Sequence, residues 1–112
     1  MLERNELGEV KISRQVIAGI ASRSAMEIKG VHGIKGSFLN RLGRIFGIDF
    51  LQSVKAEILT NGEVIVSIPI IIEYGKEVSG IVYEVQEKVR KDIEELTGLE
   101  VTKVDVKVEE VI

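Results

Sequence analysis

From Glu63 to Glu109 the apolar residues change period twice. Val64, Val66, Ile68, Ile70 and Ile72 recur at every second position. Val78, Ile81, Val82, Val85, Val89, Ile93 and Leu96 then recur at helical spacing, and Val104, Val106 and Val108 alternate again. A period of two sends neighbouring side chains to opposite faces of a strand, whereas 3.6 gathers them on one stripe of a helix. The pattern predicts a strand over Glu63–Tyr74, a helix from about Glu77 to Thr97 and a strand over Glu100–Glu109. Each is apolar on one side only, so each must bury that side against another layer. Gly98 suits a left-handed helix end, with Leu99 folding back onto Leu96. Glu84–Lys88 and Glu87–Lys91 stand at the i,i+4 spacing that supports a helix surface.

A second strand, Ser53–Leu59, precedes the first and is joined to it at Thr60-Asn61-Gly62. A two-residue Asn61-Gly62 turn would pair Ile58 with Ile65 and put the two apolar sets on opposite faces. A three-residue loop pairs Ile58 with Val64 and Ala56 with Val66, which unites Val54, Ala56 and Ile58 with the even-numbered set. The expected connection is therefore a type I turn with Gly62 at a left-handed bulge position. Pro69 has no amide hydrogen to donate, which puts that part of its strand at an edge or a bulge.

Upstream, Glu9–Ile12 reads as a short strand with Val10 and Ile12 on one face. Ser13 is placed to cap a helix running to about Ile28 and ended by Gly30. Its expected inward stripe is Val16, Ile17, Ile20, Ser24, Ala25 and Ile28. Gly19 costs this helix about 1 kcal/mol against alanine, which a close backbone approach would justify. KGVHGIKG then reads as a glycine-punctuated connection. In Phe38–Ile48, residues Phe38, Leu39, Leu42, Ile45 and Phe46 share an arc of about 120° on a helical wheel, flanked by Arg41 and Arg44. Two or three imperfect helical turns are expected there.

The predicted order is β-α-(short α)-β-β-α-β. With one-sided alternation in most strands, this is an α+β two-layer sandwich, with helices on one face of a small antiparallel or mixed sheet. Residues 1–112 contain no linker, repeat or low-complexity tract and read as a single domain. In this register Leu59, Ile65 and Ile71 point to the open face, which marks them as candidates for self-association.

The chemical inventory is thin. The 112 residues include no cysteine and one histidine, His32, so neither a thiolate site nor a two-histidine metal site can form. The serines lie in no nucleophile-elbow pattern. Glu94-Glu95 and Glu109-Glu110 sit in charged surroundings, unlike the dry cleft that raises a catalytic carboxyl. No catalytic residue, cofactor, metal or small-molecule substrate is expected. The amino terminus carries no apolar signal core. The longest apolar run, Val64–Ile72, falls well short of the roughly 20 residues of a membrane span. These features fit a cytoplasmic protein.

Formal net charge is −3, yet residues 28–48 hold only basic charges, Lys29, Lys35, Arg41 and Arg44. Within that stretch Gly33-Ile34-Lys35-Gly36 fits the Gly-x-x-Gly loop with which KH domains clamp a single-stranded RNA backbone between two helices. Lys35 is the one basic residue of that loop, and no base-stacking aromatic accompanies it. Phe38, Leu42, Arg41 and Arg44 make a candidate face for a partner or for anionic lipid.

Several stretches together resemble a known family: GEVKIS followed by VIAGIAS, the run KGVHGIKG, EYG after the aliphatic strand, and the closing VQEKVRKDIEELTGLEVTKVDVKVEEV. They are similar to the alkaline-shock, or envelope stress response, family of bacterial proteins over about Gly8–Val111. The resemblance implies a non-catalytic cytoplasmic scaffold or adaptor that self-associates. It implies placement at the membrane through a separate anchoring protein, a role in envelope homeostasis under alkaline or general stress, and no catalytic residues to carry over. RNA binding by the Gly33–Gly36 loop is the alternative.

Overall fold

The computed structural model describes residues 2–5, 8–36 and 53–112, with side chains from residue 12 onward within those ranges. Its elements are β1 (Leu2–Asn5), β2 (Gly8–Lys11), α1 (Arg14–Met26), β3 (Val31–Ile34), β4 (Lys55–Ile58), β5 (Val64–Ile72), α2 (Val78–Thr97) and β6 (Val101–Val111). The architecture is α+β, with both helices packed on one face of the sheet. The expected short helix and the Phe38–Ile48 face lie outside the described residues.

β5 is the spine. β6 pairs with it in parallel along its whole length, while β4 pairs antiparallel with residues 64–67 and β3 antiparallel with residues 70–72. β3 and β4 thus lie end to end along one side of β5, and β6 fills the other. The parallel pair needs a crossover, and α2 supplies it. The sheet is therefore mixed. Pro69 sits between the stretches covered by β4 and β3, and its carbonyl accepts from the Lys35 amide at 3.0 Å. A residue's N–H and C=O point the same way along a strand, so the missing donor falls in the gap between two partner strands.

The β4–β5 turn has the expected register: Ile58 faces Val64, Ala56 faces Val66, and Gly62 has φ +89°. The Leu59 amide donates to the Glu63 carbonyl at 2.8 Å and closes the loop.

Four expectations are corrected. The first strand is Gly8–Lys11, and it forms a separate hairpin with β1 instead of joining the main sheet. The KGVHGIKG connection contains a strand, β3, short and broken by a bulge between Val31 and Gly33. In α1 the buried residues are Ile17, Ala18, Ala21, Ser24 and Ala25, while Val16 is exposed. The alanines take core positions in place of larger side chains, and a search for large aliphatics passes over them. Among the described residues nothing lies within 4 Å of where a Gly19 Cβ would stand, so no close approach explains that glycine. Ser13 does cap the helix, with its Oγ accepting from the Val16 amide at 3.2 Å.

α2 buries Ile81, Val85, Val89, Ile93 and Thr97, whereas Val78 and Leu96 are exposed. Leu99 enters the core without Leu96 as its partner. Thr97 makes that turn: its hydroxyl donates to the Ile93 carbonyl at 2.6 Å and accepts from the Leu99 amide at 3.1 Å. Gly98, at φ +74°, ends the helix as expected. Glu94 is tied down too, accepting from the Val101 amide at 2.9 Å. At the other end of the domain, Gly30 (φ +101°) lies against Ile81, so the end of α1 and the start of α2 meet there.

The expected Glu84–Lys88 and Glu87–Lys91 pairs give way to others. Lys88 reaches Asp92 at 2.9 Å and Glu27 at 3.3 Å, and Arg90 reaches Glu87 at 3.3 Å. The buried Ser24 hydroxyl donates to Asp92 at 2.6 Å. This network pins α1 to α2. The Ser24 hydrogen bond, seconded by Lys88, holds the Asp92 carboxyl below its ordinary range. Contact with Asp92 and then Glu27 holds the Lys88 ammonium above its own.

Candidate interaction surface

The even-numbered residues of β5, Val64 to Ile72, are completely buried. They face the helices, so Ile65, Ser67, Pro69 and Ile71 must face the other way. These four are half-buried. Directly paired residues share a face, so the register fixes what surrounds them. Ile65 lies between Glu57 of β4 and Lys103 of β6. Ser67 lies between Lys55 and Asp105. Lys107 flanks Pro69, and Ile71 lies between Gly33 and Glu110. Leu59 extends the same face beyond Glu57 and is also half-buried. Long charged side chains on both sides shade the central column with their apolar stems. Among the described residues no helix lies on this face.

The structure therefore places Leu59, Ile65 and Ile71 together on one face, as the alternation required. It also brings Gly33 beside Ile71. Gly33 and Ile34 are strand residues, with Ile34 buried opposite Ile70. Only Lys35 and Gly36 stand in a turn, Gly36 at φ +90°. The expected open loop joining two helices is corrected to the end of a paired strand. A Gly-x-x-Gly clamp is a loop between two helices, and here Gly33 is held in strand pairing with Ile71 instead. Lys35 is engaged as well, 2.8 Å from Glu110, a contact that raises its basicity. Phe38, Arg41, Leu42 and Arg44 lie outside the described residues.

The alternating charges were visible in the sequence, but their arrangement depends on strand partners. Two bulges in β6, at Thr102 and Glu109, shift its pairing with β5. The bulge at Thr102 explains why Val101 and Val104, three residues apart, are both buried opposite Val64 and Val66. Val108 keeps the expected face, opposite Ile70, yet is exposed.

A family model of cell envelope-related function, that of alkaline shock protein 23, matches residues 2–112. The chain belongs to that family. Two relatives come from Bacillus subtilis (strain 168), both described as uncharacterized. YqhY is 26% identical over 105 residues, covering 93% of this chain and 77% of that protein. YloU is 30% identical over 110 residues, covering 95% and 90%. Among solved structures, MamM CTD chains match with TM-scores of 0.51 to 0.52 at 12% identity, covering 86% of this chain and 93–96% of theirs. At that identity the likeness speaks for the fold alone. Two such structures are copper and nickel forms of MamM CTD. Among the described residues of this chain, no three His, Cys, Asp or Glu residues cluster as metal ligands would, and no helix is long and apolar enough to cross a membrane.

Proposed function

We propose that the chain is a non-catalytic scaffold of the cell envelope, acting through self-association and contacts with other proteins. The observation that carries this reading is the open face of β5. Ile65 and Ile71 stand in a sheet column bordered by charges, where a partner's surface can cover them. The envelope setting comes from the family. On this reading the adaptor works in the cytoplasm and reaches the membrane through a separate anchoring protein, as the family resemblance implies. Stress is the condition under which such a scaffold is needed. The RNA alternative draws no support from the paired state of Gly33 and Ile34.

Sedimentation velocity of the full chain across a concentration series tests the reading, together with fractionation of cells expressing it. The expected result is a mass above the monomer that grows with concentration, and recovery of part of the protein with membranes in a manner abolished by protease treatment of the membrane fraction. A strict monomer found only in the soluble fraction would overturn it.

A further inference from the structure

The charges of the open face alternate in sign both across the sheet and along its strands. Across the sheet, the first row is Glu57, Ile65, Lys103 and the next is Lys55, Ser67, Asp105. Along the β4 column the signs run negative, positive; along the β6 column they run positive, negative. Neighbouring strands are about 4.8 Å apart, so the outer members of one row stand roughly 10 Å from each other with β5 between them. Among the described residues, none of the ion pairs involves Lys55, Glu57, Lys103 or Asp105. Lys55, Glu57 and Lys103 are exposed.

We propose that two copies of this chain stack open face on open face about a two-fold axis running along β5, with Glu57 of each copy facing Lys103 of the other and Lys55 facing Asp105. This deepens the scaffold reading and rests on it. A rotation about an axis along the central strand exchanges the two outer columns and keeps each row at its height. The β4 column of one copy then lies over the β6 column of the other. Because the two columns have opposite signs in each row, every charge in these rows meets its opposite. Ile65 and Ile71 of one copy come over the same residues of the other, at the roughly 10 Å spacing of stacked sheets. An isologous contact has to be self-complementary in just this way.

The same charges argue against other occupants. Two lysines against one glutamate and one aspartate sum to zero over these rows, so the face offers no single-sign field to an anionic membrane or to RNA. Extension of the sheet through β6 is a poorer route. That edge is broken by bulges at Thr102 and Glu109 and bears charged side chains, the devices that blunt edge pairing.

The test uses two charge reversals in the full chain, Glu57→Lys and Lys103→Glu. Either one alone places like charges across the interface at both symmetric contacts and should weaken self-association by roughly tenfold or more. The double variant restores opposite charges and should associate like the wild type. An equimolar mixture of the two single variants should pair one with the other, although each alone stays largely monomeric. Because both positions are exposed, melting temperatures should match the wild type and exclude unfolding as the cause. If the wild type associates but the single variants do so equally well, or if their mixture is no better than its components, the proposed face is wrong while the scaffold reading stands. A wild type that never associates removes both.

Discussion

The two sides of β5 belong to one strand and differ in almost everything else. Toward the helices, Val64 through Ile72 present an unbroken aliphatic row with no exposed surface. Away from them, Ile65, Ser67, Pro69 and Ile71 mix isoleucine with a hydroxyl and a proline, half-buried among charges. The first side has a single solution, which is to be covered by α1 and α2. The second is covered only in part by its own neighbours. An isoleucine on one side is thus a folding residue, and on the other a residue left for contact. Sequence alternation is the same on both sides, and only the layer above each one separates them.

Single substitutions can break that contrast or sharpen it. Ile68→Ala on the buried side should cost about 2–5 kcal/mol, seen as a lowered urea midpoint, because a packed site closes poorly around the void. Ile65→Ala on the open side should cost less, about 1 kcal/mol by the same measurement, since that side chain is only half-buried and among the described residues no helix packs over it. Equal costs would erase the distinction. Ser13→Ala removes the cap of α1 and should cost about 1 kcal/mol. Among the described residues nothing stands within 4 Å of a Gly19 Cβ, so Gly19→Ala in the middle of α1 should raise stability by about 0.5–1 kcal/mol. A loss at Gly19 would mean that something packs there.

The smallest effect is a pH dependence. Ser24 and Lys88 hold the folded Asp92 carboxyl below its ordinary value. A carboxyl lowered by folding contributes stability above its unfolded value, near 3.9, and loses it as pH falls through the folded value. Urea midpoints measured from neutral pH downward should therefore fall less steeply in Asp92→Asn than in the wild type. Identical acid limbs would show that the network across α1 and α2 adds nothing.

Residues that bury one side at a fixed period were legible in the sequence. The β4–β5 register followed from requiring Ala56 and Ile58 to share a face with Val64 and Val66, and a single loop length satisfied that. The open-face positions of Leu59, Ile65 and Ile71 came with it. Elements whose burial depends on a partner were not legible. β3 is four residues with a glycine inside, too short and interrupted to show alternation, and it is a strand because β5 has a free side beyond Pro69. Val16 and Leu96 fit their helical stripes by spacing, yet they are exposed, because spacing alone does not say how far the covering layer extends over a helix. The bulge at Thr102 leaves no mark in composition, and it brings Val101 into the core beside the even-numbered valines. The charge order of the open face needed the strand partners as well, since Glu57 and Lys103 are far apart in sequence and share a row only through Ile65.

The central claim is that β5 folds the domain with one face and assembles it with the other. Sedimentation equilibrium of Ile65→Lys/Ile71→Lys, run beside a thermal melt of the same sample, tests this most directly. The account predicts a folded monomer that melts within a few degrees of the wild type, under conditions where the wild type associates. Undiminished association, or collapse of the fold, would contradict it.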